Sequence, residues 1–227
     1  MILFGWPTGY HLFMNDYDSP KKLMELVIRV LFDVEPGSKA DAAYVFAQTS
    51  DNQGRLFEPA LELYKHGEIG KIVICGAESG NGYPGFKRWQ SELVFLGAKK
   101  EDIVGLKMTD GNLNTLSEAE SSIGLAKKKR WKRVYAISTP FHQIRAFVTL
   151  VSILKKSHLA LEVFNKSSAA LPWNESALHS QGSLRDFRSE LIHHEFDRIK
   201  RYNEQGDLVS CEEVFDYLNK RDANINE

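Results

Sequence analysis

Cysteine is scarce in this chain of 227 residues, which contains only Cys75 and Cys211. There is no CxxC pair, and no spacing of cysteine and histidine of the kind that binds zinc. These absences exclude a disulfide framework and a structural zinc site. Two isolated cysteines are typical of a reducing compartment, so we expect two free thiols and a cytoplasmic protein.

Long apolar segments are also missing. No uncharged run approaches the roughly 20 residues that are needed to cross a bilayer. The first 14 residues are rather apolar, but they lack the basic segment and the small-residue cleavage site of a signal peptide. The sequence therefore predicts neither a signal peptide nor a membrane partner.

Neither sign of charge is in excess. Lysine and arginine total 29 and aspartate and glutamate total 30, which gives a formal net charge of -1. This balance does not indicate wholesale binding to nucleic acid or to an anionic membrane. A basic run at 127–130 lies at the predicted end of a helix, where cations are favoured. We therefore interpret it as a solvated helix terminus and predict no nucleic-acid partner.

Several common catalytic and metal-binding motifs are absent. The chain contains no HExxH, no EF-hand loop and no GxSxG. The glycine-rich segment at 76–85 matches neither GxGxxG nor a P-loop, so it carries no strong dinucleotide signature. His193 and His194 are adjacent, so on a helix they point about 100° apart and are not expected to share a metal ion. The sequence therefore predicts no metal ligand.

A regular alternation of apolar runs and amphipathic segments fills the middle of the chain. Between residues 41 and 165 the pattern predicts strands at 42–47, 71–75, 103–106, 133–138 and 159–164. Helices are predicted between them, at 55–66, 85–96, 115–129 and 141–154. Strands that alternate with helices of this length require a mostly parallel sheet with helices on both faces. The prediction is therefore an α/β fold, a three-layer αβα sandwich with about five strands.

Two flanks surround this core, and the length of the chain suits a single domain, 1–227. Residues 19–32 are predicted to form an amphipathic N-terminal helix that packs on the sheet. The C-terminal extension at 183–221 is predicted to be helical, with a long polar-faced helix at 183–202 and a shorter one at 211–221. A loop at 171–173 is predicted to connect the core to this extension.

The topology of such a sheet indicates where a ligand binds. In an open parallel sheet, ligands bind beyond the carboxyl ends of the strands, where the strand order reverses. Four predicted loops meet this condition, at 48–55, 76–85, 109–115 and 138–145. All four are rich in small or polar residues, which allow the backbone to approach a ligand.

The last of these loops carries the most informative residues. Ser138 and Thr139 end a strand, and Thr139 followed by Pro140 is typical of a helix N-terminus. His142 and Arg145 are three residues apart, so they share one face of that helix. The positive helix end and the guanidinium predict a site for a phosphate or carboxylate, with His142 as the candidate general acid or base. The alternative is that Arg145 pairs with a structural carboxylate and His142 only packs.

Further candidates lie in the neighbouring loops. Thr115 and Glu118 match a capping box, which presents a second helix N-terminus to the same crevice. The amide of Asn114 is expected to face either a ligand or the neighbouring loop. Gly76 and Glu78 follow the second strand, where Glu78 is either a base or ribose partner or an exposed carboxylate.

Arg55 opens the helix that is predicted after the first strand. A basic residue at a helix start opposes the helix dipole, which indicates a second cation for the site unless Arg55 is an ordinary surface residue. The predicted ligand-binding residues are thus Arg55, Gly76, Glu78, Asn114, Thr115, Ser138, Thr139 and Arg145, with His142 as the catalytic candidate.

The pair Asn114-Thr115, the strand end Ser138-Thr139 and the run from Phe141 to Ala146 follow one another in a distinctive order. In order and spacing they resemble the DUF218 superfamily, also named the YdcF/SanA/ElyC-like proteins. The resemblance covers about residues 42–164 and continues more weakly into the tail at 190–208. It implies a Rossmann-like α/β domain whose polar motifs gather at the carboxyl ends of the strands.

This chain departs from the family pattern at two places. Many members carry a glutamate where this chain has Gly85-Phe86, and an acidic residue that is common near the end of the third strand is not evident at 106–108. These departures weaken the expectation of carboxylate-assisted chemistry but leave anion binding through Asn114, His142 and Arg145. Members of the family are associated with envelope polysaccharide metabolism and with nucleotide-like ligands, including S-adenosylmethionine.

Three functions therefore remain open. The first is binding of a phosphorylated or nucleotide-containing small molecule in the crevice, with or without catalysis of transfer or hydrolysis. The second is binding of S-adenosylmethionine or a nucleotide without turnover, and the third is a scaffold that uses its C-terminal helix. The sequence names no cofactor, so S-adenosylmethionine, a nucleotide and magnesium all stay open, as does a homodimer.

Overall fold

The computed structural model describes residues 16–108 and 113–226. The apolar N-terminal segment and part of the third predicted loop, residues 109–112, lie outside the described residues. The helices are α1 (Pro20–Leu31), α2 (Glu58–Lys65), α3 (Phe86–Phe95), α4 (Thr115–Lys129), α5 (Pro140–Ser157), α6 (Arg188–Glu204) and α7 (Cys211–Ala223). The strands are β1 (Ala40–Val45), β2 (Ile69–Cys75), β3 (Ile103–Leu106), β4 (Arg133–Ile137), β5 (Glu162–Asn165), β6 (Ser176–His179) and β7 (Leu184–Phe187). Short 3-10 turns occur at Asp16–Asp18, Ser50–Asn52, Lys100–Asp102 and Asn224–Asn226.

Five of the strands form one parallel sheet in the order β3-β2-β1-β4-β5. β1 is central, and its Tyr44 pairs with Val73 of β2 and with Ala136 of β4. The chain runs outwards from β1 to β3 and then returns to place β4 on the other side of β1. The strand order therefore reverses between β1 and β4, where ligands bind in sheets of this kind. The predicted α/β fold with a five-stranded parallel sheet is confirmed.

Helices cover both faces of this sheet, which makes the fold a Rossmann-like three-layer sandwich. Alternate residues of a strand point to opposite faces. Ala42 and Tyr44 accordingly belong to one core, with α1, α4, α5 and α7, whereas Ala43 and Val45 belong to the other, with α2 and α3. Because the strands are buried on both faces, they consist of nearly continuous apolar runs, which is why the sequence predicts them.

The C-terminal extension differs from the prediction at its start. The sequence predicts a helix from residue 183, but β7 pairs there with β6 in an antiparallel hairpin, and α6 begins only at Arg188. The loop after β1 fastens this hairpin through the backbone of Leu178. The Asp51 carboxylate accepts a hydrogen bond from the Leu178 N–H, and the side chains of Asn52 and Thr49 donate to the Leu178 carbonyl. These contacts come from residues more than a hundred positions away, so a local sequence pattern does not reveal them.

Arg188 secures the junction between the hairpin and α6. It is buried, and its guanidinium donates to the carbonyl oxygens of Asp51 and Pro172 and to the carboxylate of Glu175. A buried guanidinium with this many acceptors holds three separate segments in one arrangement. The hairpin therefore has a defined position over the carboxyl end of the sheet.

Two predictions about composition can be compared with the structure. In the described part of the chain, no helix is both long and apolar enough to cross a membrane. Cys75 and Cys211 are both buried and free, as expected. Burial raises the pKa of the Cys75 thiol to about 12, so this thiol is not a nucleophile near neutral pH.

Candidate functional site

A cavity of about 320 Å³ opens at the carboxyl ends of β1 and β4. All four predicted loops contribute to its wall, through Gln48, Asn81, Asn114 and Arg145 among others. The C-terminal extension contributes as well, which the sequence does not predict. It supplies His179, Ser180 and Gln181 from the β6–β7 hairpin, and Arg198, Arg201 and Tyr202 from α6.

This cavity continues into a neighbouring one of about 360 Å³. Asn81, Leu113, Asn114 and Gln181 belong to the walls of both. The second cavity extends to Glu78. We refer to the two together as the cleft, which has guanidinium groups at one end, carboxamides in the middle and the Glu78 carboxylate at the other.

Buried charged groups form the first end of the cleft. Glu195 is 1% exposed and accepts two hydrogen bonds from the Arg145 guanidinium, one from Nε to Oε2 at 2.6 Å and one from Nη2 to Oε1 at 3.3 Å. Arg198, three residues further along α6, donates to Oε1 of the same carboxylate at 2.6 Å. His179 Nε2 lies 3.0 Å from that oxygen. We name Arg145, Glu195 and Arg198 the Arg–Glu–Arg cluster.

The Arg–Glu–Arg cluster carries a net positive charge. Burial opposes the ionisation of Glu195, but the charge of Arg145 outweighs it and holds the pKa of this carboxyl well below its usual range. The ionised carboxylate neutralises only one of the two guanidiniums. Arg201 adds a third guanidinium to the same wall. This end of the cleft is therefore suited to an anion.

His142 lies beside the cluster as a neutral imidazole. It is 4% exposed, with Nδ1 at 3.1 Å from Gln48 Nε2 and Nε2 at 3.2 Å from Thr115 Oγ1. Because an amide nitrogen only donates, Nδ1 accepts from Gln48 and Nε2–H donates to Thr115. Burial lowers the pKa of His142 well below its ordinary value, and the charge of Arg145 reinforces this effect against the opposing attraction of Glu195. Both ring nitrogens are thus engaged within the protein.

Three of these side chains have the spacing of a metal site. Ligand atoms of His142, His179 and Glu195 lie within 4.8 Å of one another. However, Arg145 and Arg198 both donate hydrogen bonds to the Glu195 carboxylate, and their positive charges oppose a cation at this position. The arrangement therefore favours an anion over a metal ion.

Glu118 is a second carboxyl group in the cavity wall, and the sequence assigns it to helix capping only. It is 3% exposed, and the Tyr44 hydroxyl and the Ala47 N–H both donate to its Oε1. Both of these hydrogen bonds end on Oε1, and Oε2 is not among the buried atoms without a partner, so Oε2 is the oxygen accessible from the cavity that Glu118 lines. Burial raises the pKa of Glu118 to about 7, although the two hydrogen bonds and the charge of Arg145 favour the ionised form. A carboxyl that titrates near neutrality in a cavity is a candidate proton donor or acceptor.

The N-terminus of α4 is built differently from the prediction. The predicted capping box of Thr115 and Glu118 is wrong, because the cap is Asn114. Asn114 Oδ1 accepts from the Ser117 N–H at 2.9 Å, and the Ser117 hydroxyl accepts from the Asn114 N–H at 3.3 Å. With the cap at Asn114, Ser117 takes the third helical position. Glu118 falls one residue later, where it turns towards Tyr44 in the core.

Loss of this cap has a measurable effect on stability. We expect Asn114→Ala to lower the free energy of unfolding by about 1 kcal/mol, because the Ser117 N–H loses its acceptor. Asn114→Asp keeps the acceptor and should stay close to the unmutated protein. Urea unfolding followed by circular dichroism measures both variants. Equal losses for the two substitutions would contradict the capping role.

Five of the nine predicted site residues lie in the cleft wall. His142, Arg145, Asn114 and Thr115 meet in the first cavity, and Glu78 lies in the second. Arg145 also fulfils the alternative that the sequence leaves open, because it pairs with the carboxylate of Glu195. Its pairing and its place in the wall are compatible, since that carboxylate is shared with a second guanidinium.

Arg55 lies away from the cleft. α2 begins at Glu58, three residues later than predicted, so Arg55 does not open the helix. It forms an exposed ion pair with Glu58 at 2.9 Å and is absent from the wall of either cavity. The structure therefore corresponds to the alternative of an ordinary surface arginine.

Gly76, Ser138 and Thr139 do not line either cavity. The Gly76 N–H donates to the carbonyl of Leu106, and a Cβ at this position would lie 2.6 Å from that oxygen. Gly76 therefore allows two chain segments to approach closely. Ser138 and Thr139 are buried, and the Ser138 N–H donates to Gln143. Thr139 takes the N-cap position before α5, with Pro140 as the first helical residue as predicted, but the Thr139 side chain makes no capping hydrogen bond.

The cleft wall contains polar atoms that have no partner within the protein. Among the described residues, Gln48 Oε1 and Ser180 Oγ are buried without a hydrogen bond. An unsatisfied buried polar group costs about 1–3 kcal/mol. Asn81, Ser180 and Gln181 in the same wall adopt a left-handed backbone, with φ of 52°, 52° and 59°. Ser180 and Gln181 form the turn of the β6–β7 hairpin, where a positive φ is common.

Sequence reasoning missed the side chains that α6 supplies. Glu195, Arg198 and Arg201 are spaced by three residues, so the sequence does place them on one face of a helix. Nothing in the local pattern distinguishes this face from the solvated face of any charged helix. Only the packing of α6 against α5 turns the first two of these side chains towards Arg145.

Comparison with known proteins gives no family assignment. No protein-family model, no curated protein and no solved structure matches this chain. The resemblance to the DUF218 superfamily therefore stays a hypothesis about this chain.

Proposed function

We propose that this protein binds a small anionic molecule, phosphorylated or nucleotide-containing, in the cleft at the carboxyl ends of the strands. The observation that carries this proposal is the Arg–Glu–Arg cluster, in which two guanidiniums share one ionised carboxylate. Arg201 adds a third guanidinium to the same wall. The proposal agrees with the expectation from the DUF218 superfamily, whose polar motifs gather at this edge of the sheet.

The remainder of the cleft suits the uncharged part of such a ligand. Gln48, Asn81, Asn114 and Gln181 contribute carboxamides, which both donate and accept hydrogen bonds. Groups of this kind pair with the hydroxyls of a sugar or with the edge of a nucleobase. Tyr202 adds an aromatic side chain to the same wall, which suits stacking. A ligand that joins a phosphate to a sugar or a base is therefore the best match.

Two alternative functions are ranked by particular observations. Binding of S-adenosylmethionine or a nucleotide without turnover is favoured by His142, because both of its ring nitrogens are bonded within the protein. A scaffold that uses α6 is disfavoured, because α6 directs Arg198 and Arg201 to the cleft, and its exposed positions Glu190, His193 and Asp197 form a polar face rather than an apolar one. Product formation in a single-turnover experiment would decide for an enzyme over a binding protein.

The proposal is tested with a ligand panel and a surface variant. The panel contains nucleotides, nucleotide-sugars, sugar phosphates and S-adenosylmethionine, with and without magnesium. A ligand at a hundred times its Kd should add about 2.7 kcal/mol of stability and raise the Tm. We expect Arg201→Ala to weaken binding about tenfold, because it removes one charge-assisted contact without exposing a buried carboxylate.

Arg55→Ala is the matched control, because Arg55 is also an exposed arginine but lies outside the cleft wall. Its affinity for the ligand should equal that of the unmutated protein. Equal affinities for Arg201→Ala and Arg55→Ala would place the ligand elsewhere. A panel that shifts the Tm of none of the proteins would contradict the anion site.

A further inference from the structure

Glu118 is an acidic group in the wall of the first cavity, and unlike Glu195 it has no cation of its own among the described residues. Among the described residues, Glu118 forms no ion pair: the guanidinium of Arg145, whose charge acts on Glu118, donates instead to Glu195. Its Oε1 is held by Tyr44 and by the Ala47 N–H, so the carboxyl group cannot turn away. Oε2 is therefore a fixed oxygen in the wall of a cavity that three guanidinium groups also line.

An anion in this cavity and an ionised Glu118 repel each other, because Glu118 is buried and water screens the two charges only weakly. A single proton removes the repulsion, because it converts two facing anionic oxygens into an O–H···O hydrogen bond of the strong, charge-assisted kind. Resting on the proposed function, we infer that the cleft binds its oxyanion together with one proton, held between the anion and Oε2 of Glu118. The proton comes either from Glu118 or from a hydroxyl of the ligand.

Four of the titratable groups around Glu118 do not supply this proton: Tyr44, Cys75, Tyr83 and His142. The titratable and charged groups on the elements packed around Glu118 are Tyr44 of β1, Cys75 of β2, Tyr83 of the loop after β2, and His142 and Arg145 of α5. The same cavity wall also contains His179, Glu195, Arg198 and Arg201. Burial raises the pKa of each of Tyr44, Tyr83 and Cys75, so these groups keep their protons. Burial lowers the pKa of His142, which has no second proton to give.

This arrangement predicts which oxyanions the cleft accepts. Below the pKa of Glu118, about 7, the protonated carboxyl donates to any oxyanion. Above it, the ionised carboxylate accepts, and the ligand must carry a hydroxyl of its own. Inorganic phosphate retains a hydroxyl in weak base, and a sugar phosphate has hydroxyls beside its anionic group. Sulfate has none. Glu118 is therefore a specificity-determining residue that selects for hydroxyl-bearing anions at higher pH.

Sulfate and inorganic phosphate are the probes that test this inference. Each is titrated into the full chain at about pH 6 and about pH 8.5, at constant ionic strength, with affinity measured from backbone amide NMR shifts. For a group that titrates at about 7, the protonated fraction falls about 30-fold between these conditions. We expect sulfate affinity to fall by about this factor, and phosphate affinity to change by less than about threefold.

The variant Glu118→Gln shows whether the pH dependence of sulfate affinity comes from Glu118 or from a histidine of the cleft. The glutamine amide always donates, so sulfate should bind the variant with less than about a twofold change across the same pH range. Glu120→Gln, on the exposed side of α4, should behave as the unmutated protein. A fall in sulfate affinity that survives in Glu118→Gln would assign the proton to a histidine and overturn the inference.

Two further outcomes are decisive without any variant. Sulfate affinity that is equal at both pH values in the unmutated protein would overturn the role of Glu118 and leave the anion site intact. Absence of binding by either anion at either pH would overturn the proposed function itself.

Discussion

Replacing Glu195 by alanine is expected to lower the free energy of unfolding by about 3 kcal/mol. Removing one partner of a buried ion pair costs about 3–5 kcal/mol, because the remaining charge stays buried and uncompensated. Here two guanidiniums, Arg145 and Arg198, lose their common acceptor, with side chains only 11% and 19% exposed. The lower end of the range applies, since both groups also border a cavity that admits water. Chemical denaturation at neutral pH measures the loss.

Asp197→Ala is the control for this prediction. Asp197 is an exposed acidic residue on the same helix, so its removal should change the free energy of unfolding by less than about 0.5 kcal/mol. Glu195→Gln, which keeps one acceptor oxygen but no charge, should fall between the two. If Glu195→Ala unfolds at the same denaturant concentration as Asp197→Ala, the Arg–Glu–Arg cluster has no role in stability.

The contribution of Glu195 also has a defined dependence on pH. Because its pKa in the folded state lies well below the ordinary 4.5, the unfolded chain binds this proton more readily than the folded one. The stability that Glu195 contributes is therefore complete above its unfolded-state pKa and is lost as the pH falls through its folded-state value. Glu195→Ala should lack this part of the acid-induced loss, so the difference between the two proteins should shrink in acid.

Replacing Glu118 by glutamine is expected to stabilise the protein above pH 7. The folded-state pKa of Glu118 is about 7 against an ordinary value of 4.5, so the folded state holds this proton more tightly than the unfolded state. Stability from this group is complete below 4.5 and falls as the pH rises towards 7. A difference of roughly 2.5 pH units corresponds to about 3 kcal/mol. The variant should thus exceed the unmutated protein by up to about 3 kcal/mol at pH 8.

The measurement is a series of denaturant unfolding curves from about pH 5 to about pH 8. Near pH 5 the two proteins should have similar free energies of unfolding, because Glu118 is then protonated and the glutamine amide replaces it closely. Glu120→Gln, on the exposed side of α4, should show no such divergence. Parallel curves for Glu118→Gln and the unmutated protein would mean that Glu118 does not titrate in this range.

The parallel sheet could be predicted from the sequence because its signals are local. β1, β2 and β4 are short apolar runs between polar loops, and the pattern requires no knowledge of their partners. Helix α4 matches its predicted bounds for the same reason. The capping box at its start was wrong because Asn114 and Thr115 are both acceptable caps, and sequence spacing alone does not choose between them.

The candidate site was predictable only where it depends on one strand end and the helix that follows. His142 and Arg145 follow β4 and open α5, so the rule on strand carboxyl ends places them correctly. Glu118 was missed as a cavity residue, since its position is decided by a hydrogen bond to Tyr44, 74 residues earlier in the chain. The prediction that Arg55 opens a helix is wrong, because α2 begins at Glu58.

By itself, the sequence determined the layered α/β architecture, the edge of the sheet where a ligand is expected, and one side of the candidate anion site. These features follow from periodicity and from the chain direction of parallel strands, which are local properties. Tertiary structure alone decided that Glu195 and Arg198 join Arg145, and that the β6–β7 hairpin contributes to the cleft wall. The reason is that hydrogen bonds and charge pairs between distant segments depend on packing, which no local pattern encodes.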